Sequence, residues 1–384
     1  MSSRALNTRP HRPHRLGHIL ELDGIRGIAA LMVFFHHVCF ASIQSTAWPA
    51  PILFMRAISM PGRYGVDLFF VLSGFLITSL LIDARGDSSY YHDFYWKRAL
   101  RILPLYVVCL LGILFFVPGS GSFILVCAFF LANFSTVFHI ASSGPFWTLA
   151  IEEQFYLLWP TLVRLHSVTQ IRRWAVAIGA TAFVLRLIAA NFGHFNYYLT
   201  FFHCDGLAFG AFQACWYSQR DPLTANVKTE NRAIAIAFAS GIALLALPMF
   251  GSSVPAMAFH AAFQQTGVTL LCGSIVAFVI SHSGQRSISF LSFSPLTFFG
   301  LISYALYMIH TYVMAEYDNL RGPLADGNVP AYALRFFSIL GITVALCLIS
   351  RYLLELPAMS LRRFVLAKPS PATAGEPPLP LGNM

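Results

Sequence analysis

The chain has 384 residues, 57% of them hydrophobic and only 11% charged, with a formal net charge of +9. A mean hydropathy of +0.65 excludes a soluble domain with an ordinary charged surface. Apolar runs of about 20 residues recur along the chain, each long enough to span a bilayer, whereas a transmembrane β-barrel would show short alternating segments. The fold class expected is therefore all-α: a polytopic integral membrane bundle of about ten transmembrane helices. The positive charge does not read as a nucleic-acid footprint, because Lys and Arg sit in short hydrophilic loops without interleaved aromatic residues. The seven cysteines lie mostly within apolar runs and show no metal-ligand spacing, so they read as small buried residues and no metal is expected.

In chain order, residues 1–19 carry Arg4, Arg9, Arg12 and Arg15 and form a basic tail, read as disordered. The first apolar run contains "IRGIAALMVFFHHV", residues 25–38. It is too long for a signal-peptide core and reads as a retained span. Spans are predicted near 20–42, 64–83, 100–117, 146–165, 174–192, 198–217, 232–250, 260–281, 296–315 and 333–354. The short apolar segment 123–138, "FILVCAFFLANFSTVF", is ambiguous. With ten crossings and 123–138 left out, eighteen basic residues fall on the side of both termini and four (Arg56, Arg63, Arg321 and Arg335) on the other. Positive charge collects on the cytoplasmic side, so 123–138 is expected to be re-entrant or interfacial and both termini cytoplasmic. Residues 357–384, rich in Pro, Gly and Ala, read as a disordered cytoplasmic tail, which leaves 20–356 as the membrane domain. No clean internal repeat of the transporter kind is visible.

Ionisable groups inside spans are costly and usually face a cavity or a partner. Here they fall into two layers. The inner layer is basic: Arg26 in the first span, and Lys97, Arg98 and Arg101 at the start of the third. Arg98 and Arg101 are three apart and share a helix face, and guanidinium groups suit phosphate. The outer layer holds His37, Asp67, Glu152, Glu153, Asp205 and His310 on five different spans, which points to a shared polar cavity. Arg26 and His37 are eleven residues apart, three helical turns plus about 20°, so they share one face about 16 Å apart along the axis. His36 lies roughly 80° off that face and reads as structural. A ligand with a phosphate-bearing head and a long thin arm would fit that arrangement.

The segments "LDGIRGIAALMVFFHH", "GVDLFFVLSGFLI", "FYWKRALRILPLY", "FWTLAIEEQFYLLWP" and "ISYALYMIH", in this order, resemble the membrane-bound acyltransferase-3 family, which includes O-antigen, Nod-factor and exopolysaccharide acetylases. The resemblance covers residues 20 to 356. It implies transfer of an acyl group, usually acetyl, from cytoplasmic acyl-CoA to a hydroxyl of a cell-envelope or exported carbohydrate, free or lipid-linked. It also implies the bacterial cytoplasmic membrane as the setting. The family's Arg-x10-His motif falls on Arg26 and His37, its Arg-x-x-Arg motif on Arg98 and Arg101, and its Glu-x-x-Phe-Tyr motif on Glu152, Phe155 and Tyr156. Asp67, Ser73 and Gly74 match its second-span pattern. Two positions depart from it: Trp-Thr-Leu at 147–149 replaces the usual Trp-Ser-Leu, and His203 stands where Arg often precedes Asp205. Some relatives carry a C-terminal esterase-like domain. Here the sequence ends without one, so transfer is expected to be completed in the membrane domain or with a partner.

The resemblance and the residues together give His37 as general base, with Glu152 or Asp67 orienting its ring. Arg26, Arg98 and Arg101 would bind the coenzyme, and Tyr156, Asp205 and His310 the substrate. A multi-span transporter or flippase without acyl-transfer chemistry is the competing class.

Overall fold

The computed structural model describes residues 19–41, 48–141, 144–194, 196–220, 226–247, 253–322 and 327–362. Of the tails expected at 1–19 and 357–384, residues 1–18 and 363–384 lie outside the described residues. Helix α1 (Leu20–Phe35) continues into a π-helical turn, His36–Ala41. Helix α2 (Ala50–Ser59) passes through a tight 3₁₀ turn into α3 (Gly65–Asp83). There follow α4 (Tyr90–Phe116), α5 (Gly121–Ala128), α6 (Phe146–Leu165), α7 (Val168–Asn191), α8 (Thr200–Gln219), α9 (Val227–Leu245) and α10 (Val254–His282). The chain closes with α11 (Ser294–Leu301), α12 (Ser303–Arg321), α13 (Val329–Ser350) and, after a second π-helical turn, α14 (Leu356–Ser360). No strand occurs among the described residues. Helix α14 begins where the disordered tail was expected, so ordered chain runs past that boundary.

A helix stands at each of the ten expected places. By length and apolarity, however, six among the described residues qualify as candidate membrane spans: Leu20–Phe40, Ala50–Asp83, Tyr90–Phe116, Val168–Asn191, Phe259–His282 and Val329–Ser360. The expected span 296–315 is broken: α11 and α12 meet at 74°, and the pair makes a seventh span if counted as one. Helices α6, α8 and α9 carry too many polar groups to qualify by composition, among them Glu152, Glu153 and Gln154 in α6 and His203, Asp205 and Gln213 in α8.

Segment 123–138 holds most of the eight-residue helix α5 and a short 3₁₀ turn, Ala132–Phe134, far short of a bilayer's thickness. Phe130 there has φ 53°, a left-handed conformation costly for an aromatic residue. Gln154 of α6 holds the segment by donating to Phe130 O at 2.8 Å and to Asn133 Oδ1 at 3.0 Å.

Helix α1 lies at the centre, packed on α3, α11 and α12, and α3 packs along α8. The α3–α8 seam depends on backbone approach. A methyl group on Gly74 would lie 2.0 Å from Leu207 O, and one on Gly210 would lie 2.0 Å from Val71 O. Small residues let helices approach this closely where no water drives them together. The seam brings the polar groups of α3 and α8 into one layer.

A candidate active site at the junction of two cavities

Two cavities open at opposite ends of the α1–α3 pair. The first, about 660 Å³, lies where α1 begins and α3 ends. Arg26, Arg98 and Arg101 converge on it, with Glu152, Tyr156 and Tyr304, among apolar walls that include Leu22, Ile77 and Leu80. Arg26 and Arg98 both act on Arg101 by charge repulsion. The guanidinium of Arg98 sits 5.2 Å from the centre of the Tyr156 ring. Glu152 Oε1 accepts a 2.6 Å hydrogen bond from Ser73. Asp23 and Asp83 also line this cavity, so its pull on an anion comes from the local clustering of three guanidinium groups rather than from net charge. Lys97, expected with them, is exposed and lies 3.9 Å from Asp93. Glu153 lines neither cavity, so only Glu152 of the acidic pair faces one.

The second cavity, about 650 Å³, lies where α1 ends and α3 begins, lined by His36, His37, Arg63, Asn133, Trp147, Tyr197 and Tyr198 among others. Here the π-helical turn matters. It opens the helix at His36, and turns of this kind frequently mark functional sites. Arg335 of α13 donates to Val38 O in this turn at 3.2 Å and grips Asp318 with two 2.7 Å hydrogen bonds. His36, expected to point elsewhere, also lines the cavity. It donates to Ser59 O at 3.3 Å and stacks on Phe40 at 5.0 Å.

The ring of His37 meets His310, while Glu152 and Asp67, expected to orient it, are bonded by Ser73 and Gln265. His310 Nδ1 donates to Leu306 O at 2.9 Å, and a carbonyl can only accept. His310 Nε2 therefore presents a lone pair, 3.1 Å from His37 Nδ1, which also lies 3.0 Å from Val33 O. Both neighbours accept, so the hydrogen of a neutral His37 sits on Nδ1 and the lone pair on Nε2. In that tautomer Nε2 is the nitrogen able to accept a proton.

Val66 and Tyr307 line both cavities. Tyr307 on α12 thus forms part of the partition between the arginine cluster and the histidine pair, and its ring centre lies 6.1 Å from that of His310. Its hydroxyl is 2.9 Å from Thr148 Oγ1, itself 2.9 Å from Pro145 O. Thr148 has one hydrogen to give to these two oxygens. When it donates to the phenol, the hydrogen of Tyr307 is available to a ligand at the partition. Nothing in the sequence distinguishes Tyr307 from the other aromatic residues of its helix.

Asp67 and Asp205 line neither cavity. Asp67 accepts from Gln265 at 2.6 Å and lies 3.6 Å from His203 Nε2. Asp205 pairs with the fully buried Arg186 at 2.9 Å and accepts from Thr269 at 3.1 Å. These contacts tie α3, α7, α8 and α10 together behind the second cavity. Arg186, Gln265 and Arg335 carry much of this framework, although none stands out in the sequence. The single clue is that Arg186 and Arg335 are cations within apolar runs.

The fold and site define a polytopic helical membrane protein whose charged interior serves two cavities separated by a thin partition. The chain belongs to the acyltransferase-3 family: the family's acyltransferase-domain model matches residues 19–352. The peptidoglycan O-acetyltransferase OatA of Listeria monocytogenes is 27% identical over 326 residues, 76% of this chain and 49% of that protein. A Staphylococcus aureus (strain COL) protein, provisionally named an O-acetyltransferase, is 25% identical over 376 residues, 89% of this chain and 58% of the relative. Bacillus subtilis YrhL, provisionally named a peptidoglycan O-acetyltransferase, is 31% identical over 173 residues, 39% of this chain and 24% of the relative. The chain thus spans about half the length of the curated relatives it matches most fully. No solved structure matches it.

Proposed function

We propose that the protein is a membrane O-acyltransferase that moves an acyl group, acetyl in the first instance, from acyl-CoA to a hydroxyl of a cell-envelope or exported carbohydrate. In this reading the donor enters from the cytoplasm at the first cavity, both termini are cytoplasmic, and the bundle, counted as ten crossings, sits in a bacterial inner membrane. The observation that carries the reading is the partition itself. A cluster of three arginines and a histidine whose Nδ1 faces two acceptors lie on opposite sides of one tyrosine.

The coenzyme phosphates would meet Arg26, Arg98 and Arg101, where charge-assisted hydrogen bonds are strong. The arm would lie along the apolar wall and carry the thioester to the partition. His37 Nε2 takes the proton of the acceptor hydroxyl, and the oxygen attacks the thioester carbon. The Tyr307 hydroxyl donates to the carbonyl oxygen as it gains charge. Collapse breaks the carbon–sulfur bond, and the leaving thiolate takes the proton back from the imidazolium. His310 holds the His37 ring, and Glu152 braces the arginines, with Ser73 fixing its carboxylate. The polar groups around Asp67 and Asp205 hold the helices in register. The relatives named for peptidoglycan support a peptidoglycan acceptor in this reading, beside other polysaccharides and their lipid-linked precursors.

The test compares glycans of cells lacking the gene, complemented with wild type, His37→Ala or His36→Ala at matched membrane levels. Wild type should restore one acyl group. His37→Ala should lose transfer by about 10²–10⁴-fold, the usual worth of a general base, while His36→Ala keeps most of it. Full transfer by His37→Ala would sink the mechanism. A transporter or flippase without chemistry would instead move its substrate in vesicles with no acyl donor.

A further inference from the structure

The second cavity has a charge pattern that the transfer chemistry leaves unused. Among the described residues lining it, Arg63 is the one permanent cation and there is no acid. Three other arginines are paired with carboxylates: Arg186 with Asp205, Arg335 with Asp318 and Arg220 with Glu230. Arg63 forms no ion pair with any described residue. Its guanidinium instead rests against two aromatic rings, 4.9 Å from the centre of Tyr64 and 5.9 Å from that of Tyr197. Tyr197 packs edge-on against Trp147 at 5.7 Å, and Trp147 against Tyr198 at 5.2 Å. A continuous aromatic surface therefore ends in a cation on the same cavity wall as His37.

Each part has a chemical counterpart in a ligand. Aromatic faces receive the C–H faces of sugar rings. A guanidinium stacked on tyrosine keeps its N–H edges for a planar or tetrahedral anion, which it binds with directional, charge-assisted hydrogen bonds. Asp67, buried behind the cavity, acts on Arg63 from a distance, but a neutral glycan would leave the exposed Arg63 without an anion on the cavity side.

We propose that the acceptor glycan is anionic, and that Arg63 binds a carboxylate or phosphate of the acceptor while its sugar ring lies on Trp147 and Tyr197, bringing the hydroxyl to His37. This rests on the acyl-transfer reading above. The anion has two possible sources: an acidic substituent of the glycan itself, or the diphosphate joining the glycan to a polyprenyl carrier.

The experiment uses the full chain reconstituted in phosphatidylcholine vesicles with radiolabelled acetyl-CoA. Acceptors are prepared from cells lacking the gene as lipid-linked glycan, as released soluble glycan, and as released glycan with its carboxylates amidated and its phosphates removed. Arg63→Ala should raise the acceptor KM by about tenfold or more, with the KM for acetyl-CoA unchanged, and Arg63→Lys should recover part of the loss. Tenfold corresponds to about 1.4 kcal/mol, the scale of one hydrogen bond to a charged group. If the anion is on the glycan, neutralising it should weaken wild type to the level of Arg63→Ala and leave that variant unaffected. If it is the carrier diphosphate, the same loss should appear on release from the lipid. Wild type and Arg63→Ala using every acceptor equally well would overturn the proposal and leave the transfer reading standing. No transfer by wild type to any acceptor would overturn both.

Discussion

Tyr307 concentrates the chemistry at the scale of single residues. Its ring separates two cavities, and Thr148 holds its hydroxyl at the partition. Tyr307→Phe keeps the ring and removes the donor. Loss of one oxyanion donor costs about 10²–10³ in kcat, and the KM for acetyl-CoA should stay within about twofold on the same basis of preserved shape; a steady-state assay in vesicles separates the two. Arg98→Ala with Arg101→Ala should do the reverse, raising the KM for acetyl-CoA by about tenfold or more with a smaller change in the acceptor KM. An unchanged acetyl-CoA dependence would leave these arginines as topology anchors. Arg26 and His37 were legible as a pair because helical phase needs only local sequence. The partner of His37 was not. His310 lies 273 positions away, and no local rule chooses between it and the carboxylates at similar depth.

Among the elements, the π-helical turn at His36–Ala41 is the decisive one. A regular α-helix through this segment would turn His36 off the face of His37. The opened turn lets both rings reach the second cavity and leaves carbonyl groups to be satisfied from outside the helix. Arg335 satisfies one of them from α13 and is only 3% exposed. Arg335→Ala should therefore lower kcat by about fivefold or more, the scale of about 1 kcal/mol lost in positioning, while Arg335→Lys recovers little because the bidentate grip on Asp318 needs a planar fork. An acyl-transfer assay beside a thermal-shift measurement would distinguish loss of positioning from loss of fold. Periodicity and charge placed helices at all ten expected sites, but the π-helical turn and the 74° break before α12 have no signature in hydropathy.

For the whole molecule, the proposed reaction requires two cavities that are separate yet adjacent. Val66 shares the partition with Tyr307 and has no chemical role. Val66→Trp should fill the passage and reduce transfer by about 10²-fold, as expected when reacting groups are held out of alignment, while binding of a fluorescent acetyl-CoA analogue to the first cavity persists. Equal loss of donor binding would mean that the two cavities do not work as separate compartments. The amino-acid sequence by itself determined the helical membrane class, the basic inner cluster of Arg26, Arg98 and Arg101, and the shared face of Arg26 and His37, but not the single outer layer expected to hold Glu152, Asp67 and Asp205 with His37. These follow from composition and from a period of 3.6 residues, both local quantities. Tertiary structure alone decided that Glu152 lies with the arginines rather than with His37, that Asp67 and Asp205 turn to the helix seams, that His310 meets His37, and that Tyr307 stands between the two cavities. Each depends on which helices pack together, set by close approaches such as Gly74 on Leu207 and Gly210 on Val71, contacts between residues far apart in the chain.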